Sequence, residues 1–146
     1  MLERYQGKEG RPALMDALRR QFLIDGSSEI AEMIASSAQL REYAKGEAVF
    51  NQGDRGGELC FILVGKVSVQ VDQRPVATVE PGFHVGEIGM LEPFKGRSAT
   101  VLALEPVIAV HITQSKFFDI ARLHPELFVR LALELGHRLV DTQRRG

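Results

Sequence analysis

Pro81-Gly82-Phe83-His84-Val85-Gly86-Glu87-Ile88-Gly89-Met90-Leu91-Glu92-Pro93-Phe94-Lys95-Gly96-Arg97-Ser98-Ala99-Thr100 is the stretch on which the reading of this chain turns. It interrupts a series of strands with a short helical piece. Residues 87–91 have room for about one turn before Pro93 stops it. Gly86, just ahead of that turn, has no side chain to keep a ligand away from the backbone N–H groups. Open N–H groups at a helix start favour an anion. Arg97 adds a permanent charge on a planar fork that matches phosphate oxygens. Ser98 offers a hydroxyl donor, and the Ala99 N–H a second donor beside it. Glu87, ionised, only accepts, which suits sugar hydroxyls.

Outward from this segment the texture is β. Short strands are expected at residues 48–50, 59–64, 67–71, 74–79, 99–104 and 107–112. Residues 59–64 form a nearly continuous apolar run. Val67, Val69 and Val71 alternate with Ser68, Gln70 and Asp72, as in a half-buried strand. Glycine-rich turns separate the strands, which points to a sandwich or small barrel.

Both ends read as helical. Up to about Glu42, Pro12 opens a helix carrying Leu14, Met15, Leu18, Phe22 and Leu23. Asp25-Gly26-Ser27-Ser28 is a break, where a serine can cap a second helix bearing Ile30, Met33 and Ile34. From about Gln114, Phe117, Phe118 and Ile120 share a face. Pro125 then opens a last helix with Leu127, Leu131, Leu135 and Leu139 on one stripe. That stripe has two readings: packing on the barrel, or contact with a partner helix of a second subunit. The expected fold is mainly β with flanking helices, an antiparallel β-roll or jelly roll. It divides into an N-terminal helical segment, residues 1–42, and a β-roll with C-terminal helices, residues 43–146, in one compact domain.

Composition sets limits. A chain of 146 residues, 45% hydrophobic and 25% charged, can bury a core unaided. A net charge of −1 gives no general pull toward polyanions, and Arg144-Arg145 alone is no DNA-binding surface. Cys60 is the only cysteine, so no internal disulfide can form. Within its apolar run it reads as a small buried hydrophobe without an activating base. No apolar run is long enough to span a bilayer, and no signal-peptide core follows Met1-Leu2-Glu3-Arg4-Tyr5. A cytoplasmic protein without a membrane or nucleic-acid partner is expected.

The donors and acceptors of residues 86–99 together ask for one phosphate and a nearby ribose hydroxyl. A cyclic mononucleotide has both, and one arginine balances its single charge. A triphosphate would want more cations and a metal. Two competing readings exist. Glu87 and Arg97 could pair across a surface turn, but that leaves the glycines and Ser98-Ala99 unexplained. His84 and Glu87 could begin a metal site, but such a site needs three or four converging ligands. His111, His124 and His137 lie in a strand and helices with no evident convergence. No metal and no catalytic residue are expected.

Gly86-Glu87-Ile88-Gly89-Met90-Leu91 followed by Arg97-Ser98-Ala99-Thr100 resembles the phosphate-binding cassette of the cyclic-nucleotide-binding domain. That family includes bacterial catabolite activators, protein kinase A regulatory subunits and gated channels. Lys45-Gly46-Glu47, Gln52-Gly53-Asp54, residues 59–63, Gly65 and Val67 resemble its opening strands, and His124-Pro125-Glu126 its closing part. The resemblance runs from about Leu40 to Thr142. It implies that Glu87 holds the ribose 2′-hydroxyl and Arg97 the cyclic phosphate. Ser98 would donate to a phosphate oxygen, while Gly86, Ile88 and Ala99 would approach the ligand beside them. Thr142 falls where catabolite activators use a threonine against the base. The last helix would relay binding to a second subunit or an output domain, making the chain a sensor and not an enzyme. Cys60 and His84-Val85 stand where aromatic residues are frequent in the family. Catabolite activators continue into a helix-turn-helix. This chain would be a stand-alone sensor if complete, or be followed by an output domain if cut.

A narrower resemblance rests on residues 1–42, Arg74-Pro75-Val76-Ala77 and His84-Val85-Gly86-Glu87. These are similar to sensor domains fused to TIR domains in bacterial antiphage effectors of the Pycsar type. There, a cyclic pyrimidine nucleotide triggers assembly and NAD destruction by the TIR part. That resemblance implies cyclic UMP or cyclic CMP as ligand. Cyclic AMP or GMP is the alternative, as is a degenerate β-roll that only oligomerises.

Overall fold

Leu59, Cys60, Phe61, Ile62 and Leu63 are all buried, on both faces of their strand. A strand with one wet face would alternate, so this one must have cover on both sides. The computed structural model describes residues 1–145, with side chains through residue 140. Its eight strands are β1 (Gln39–Tyr43), β2 (Ala48–Phe50), β3 (Glu58–Val64), β4 (Val67–Val71), β5 (Arg74–Val79), β6 (His84–Val85), β7 (Thr100–Ala103) and β8 (Val107–Thr113). They form two antiparallel sheets, ordered β1-β8-β3-β6 and β2-β7-β4-β5. Five helices flank them: α1 (Gly7–Arg19), α2 (Ser28–Ser37), α3 (Glu87–Leu91), α4 (Gln114–Leu123) and α5 (Glu126–Arg145).

The two faces of β3 and β8 meet different partners. Cys60 and Ile62, with Val107 and Ala109, face the second sheet and join Phe50, Val67, Val85 and Val101. Leu59, Phe61 and Leu63, with Ile108, Val110 and Ile112, face the helices and join Leu18, Ile30, Phe117, Leu127 and Leu131. The chain therefore has a β-sandwich core and a sheet–helix core back to back. The N-terminal helices belong to the second of these.

One local expectation holds. The Ser27 hydroxyl accepts from Ile30 N at 3.1 Å and caps α2. Thr113 caps α4 in the same way. Others need correction. Pro12 does not open α1, which starts at Gly7; it lies inside the helix. There it costs the helix one i→i−4 hydrogen bond, and the burial of Leu14, Ala17 and Leu18 against the core holds the helix in spite of that. Residues 39–42 are not helical but belong to β1, paired from Gln39↔His111 to Tyr43↔Val107. Leu127 and Leu131 are buried in the core, whereas Leu139 is exposed. The leucine stripe is thus packing at its start and open only at its far end.

Burial leaves an acid-sensitive mark. Both ring nitrogens of His84 are buried without a hydrogen-bond partner among the described residues. Burial, helped by the charge on Arg138, pushes its pKa down to about 3. His111 is likewise held down, at about 4, by burial against the opposing pull of Glu58. Each folded histidine refuses a proton that the unfolded chain takes up near pH 6.5. The protein should be most stable above that value and lose stability as the pH falls toward 4. The expected slope is up to about 1.4 kcal/mol per pH unit for each buried histidine. Urea midpoints measured from pH 7.5 to 4.5 test this, and a flat profile below pH 6.5 would reject it.

Candidate functional site

β6 ends where the backbone must leave the sheet toward α3. Gly86 makes that turn with φ 89°, in the left-handed region. A Cβ there would also lie 2.8 Å from Glu58 O and 2.8 Å from Phe50 Cε2. The first bond of α3 runs from Met90 N to Gly86 O at 2.9 Å. Gln114 Nε2 donates to Met90 O at 2.7 Å and fixes the other end of the turn. Arg97 follows on an extended loop braced by its neighbour: Arg97 N donates to Asp54 O at 2.7 Å, and Gly53 N donates to Arg97 O at 2.9 Å.

The Arg97 side chain turns inward and is only 6% exposed. Its Nη1 donates to Gly86 O at 3.2 Å and its Nη2 to Glu58 O at 3.0 Å. Three glycines wall the slot it occupies. A Cβ on Gly56 would reach Nη2 at 3.1 Å, one on Gly86 Nη1 at 3.0 Å, and one on Gly89 Nη1 at 2.3 Å. Burial pushes the guanidinium's pKa down, partly offset by Glu58. Its hydrogen bonds go to carbonyls, and no ion pair joins it to a carboxylate among the described residues. A desolvated cation without a counter-charge is a strong attractor for an anion.

Glu87 does not pair with Arg97. Its Oε1 accepts from Arg138 Nη1 at 2.5 Å, a residue 51 positions away on α5. Its Oε2 is buried with no hydrogen-bond partner among the described residues. Arg138 also donates through Nε to Glu134 Oε1 at 3.0 Å and through Nη2 to the His84 carbonyl. One guanidinium therefore ties the last helix both to the cassette carboxylate and to the backbone of β6.

One cavity of about 70 Å³ collects these groups. Gly86, Glu87, Ile88, Arg97, Ser98 and Ala99 all line it. Thr142 lies outside the residues whose side chains are described. Phe50, Val69, Val101 and Arg138 also line the cavity and were not expected there. Val69 was legible in principle, since period-two alternation aims it at the same face as Val67; Val101 shares that face because β7 pairs with β4 at Val69. Arg138 carried no local signal, because only the return of α5 across the sheet brings it to Glu87. No three His, Cys, Asp or Glu side chains among the described residues are placed to hold a metal ion. Cys60 is buried, and burial pushes its thiol pKa up, away from reactivity.

A family model, the cyclic nucleotide-binding domain, matches residues 40–124. The chain belongs to the cyclic nucleotide-binding domain family. It is 36% identical over 141 residues to the Pycsar effector protein XpPycTIR of Xanthomonas perforans, covering 97% of this chain and 46% of that one. It is 35% identical over 139 residues to PaPycTIR of Pseudomonas aeruginosa, covering 95% and 45%. The chain thus spans slightly less than half the length of these relatives. Among solved structures, the Thermus thermophilus catabolite activator protein superposes with a TM-score of 0.74 at 27% identity, over 86% of this chain and 61% of that one. A cyclic nucleotide-binding domain from Methylobacillus flagellatus superposes with a TM-score of 0.81 over 99% and 93%, and at 21% identity shows the shared fold. Among the described residues, no helix is long and apolar enough to cross a membrane.

Proposed function

We propose that this chain senses a cyclic mononucleotide, binding the phosphate at Arg97 and the ribose at Glu87, and relays occupancy through α5. The observation that carries this reading is the pairing of two complementary deficits in one cavity. Among the described residues, Arg97 is a buried cation with no carboxylate partner, and Glu87 Oε2 is a buried acceptor with no donor. A ring phosphate answers the first and a 2′-hydroxyl the second. Ser98 and the backbone of Ala99 and Gly86 complete the phosphate cradle, Ile88 packs beside it, and Thr142 lies on α5 to meet the base.

The relay follows from Arg138. A ribose hydroxyl on Glu87 alters what that carboxylate offers Arg138, and hence what holds α5 to β6. The ligand shifts α5 only by its differential affinity for the two placements. A second copy docks on the outward stripe of Val129, Leu133, Gly136 and Val140, whose 4-3-4 spacing makes a self-complementary helix seam. Val129, Leu133 and Val140 are all exposed, unlike Leu127 and Leu131.

Likeness to the Pycsar effectors over nearly the whole chain supports cyclic UMP or cyclic CMP as ligand, an intracellular antiphage role, and a fused effector such as a TIR domain. Any catalysis belongs to that effector. Thermal shift with cyclic AMP, GMP, CMP and UMP tests the reading. At 100 times Kd the right ligand adds about 2.7 kcal/mol, a rise of several degrees in Tm. A cyclic pyrimidine nucleotide should give the largest rise. No rise with any of the four overturns the sensor reading.

The ribose assignment has its own test. The 2′-deoxy form of the best ligand should bind about tenfold to a hundredfold more weakly, the loss of one bond to a charged acceptor. Glu87→Gln should narrow that gap. Equal affinity of native protein for both forms would remove Glu87 from the ribose.

A further inference from the structure

Carbonyls are not the only support under the Arg97 guanidinium. Its Cζ lies 3.7 Å from the centre of the Phe50 ring, at the end of β2. At that distance the contact is face to face, since an N–H aimed at the ring would hold the central carbon further off. Phe50 is itself only 9% exposed. Its ring and that of His111 make a T-shaped contact, centroids 5.9 Å apart at 80°. The Tyr43 hydroxyl bonds to His111 Nε2 at 2.8 Å and holds that imidazole in place. The ring is therefore a fixed floor.

A carboxylate in this position would neutralise the guanidinium and compete with the ligand for its N–H donors. An aromatic face does neither. Its quadrupole supports the cation from one side and takes none of the in-plane N–H groups, so those not given to the Gly86 and Glu58 carbonyls stay available. We propose that Phe50 is a positioning residue for the phosphate-binding arginine: its ring fixes the Arg97 guanidinium and supports its charge while leaving the donor edge to the ligand. This rests on the sensor reading above.

The test separates ring electrostatics from ring volume. Phe50 is replaced by mono-, di- and trifluorophenylalanine, which drain the face of the ring and nearly keep its size, and by Phe50→Leu. Affinity for cyclic AMP, GMP, CMP and UMP is measured by calorimetry, beside the Tm of each variant without ligand. Affinity should fall stepwise with fluorination, by about threefold to thirtyfold overall. The same factor should apply to every nucleotide that native protein binds, because they share the phosphate. Tm should stay within a few degrees across the fluorinated series. Native binding with no trend along that series would overturn the role of Phe50 alone. Absence of native binding to all four nucleotides would overturn the sensor reading, and this inference with it.

Discussion

Arg97→Ala is expected to weaken cyclic mononucleotide binding by at least about a hundredfold, to the point of vanishing from calorimetry. The ligand phosphate would meet a guanidinium that is already largely buried, and there charge-assisted bonds count for more than in open water. Losing two of them corresponds to about 3 kcal/mol or more. Arg97→Lys should rescue little. The three glycines and the ring of Phe50 shape a flat slot, and an ammonium fills neither its plane nor its fork. The fold should tolerate the alanine, because a desolvated cation leaves with the side chain. Unchanged affinity in Arg97→Ala would reject the site.

Gly89→Ala should separate binding from stability more sharply. The new Cβ would lie 2.3 Å from Arg97 Nη1, 2.9 Å from Cδ and 3.0 Å from Cζ. The nearest atoms belong to the end of a long side chain and not to the backbone, so the guanidinium gives way. Gly89 sits inside α3, where alanine favours the helix by up to about 1 kcal/mol. Affinity should therefore drop about tenfold or more while Tm holds or rises. Loss of both together would mean that the clash spreads into the backbone. Retained affinity would mean that the cradle works with a displaced cation.

The sequence shows the cassette well and its surroundings poorly, for physical reasons. The segment from Gly86 to Ala99 is local: turn, helical piece, arginine and hydroxyl lie within one stretch of chain, so spacing alone brings them together. The continuous apolar run at residues 59–64 and the alternation of β4 are equally local. β1 is different. Gln39-Leu40-Arg41-Glu42 contains good helix formers, and its burial follows no clean alternation. It is a strand because β8 pairs with it from some seventy residues away, and such pairing overrides propensity. β6 has two residues, too few for any period. Arg138 and Phe50 join the site only through tertiary structure. The leucine stripe could not be assigned from its spacing, because a helix can bury one face and expose another with apolar residues on both.

The root of α5 is tied down: Leu127 and Leu131 sit in the core, and Arg130 Nη1 donates to the Leu23 carbonyl at 2.8 Å. Beyond that anchor the helix runs on to Arg145, about 22 Å further at 1.5 Å per residue. It has the proportions of a lever with its fulcrum at Arg130 and its load at the tip. A tilt of ten degrees there sweeps the far end through about 4 Å. In the proposed relay, a change at Glu87 smaller than an atom's width would arrive magnified at the helix tip.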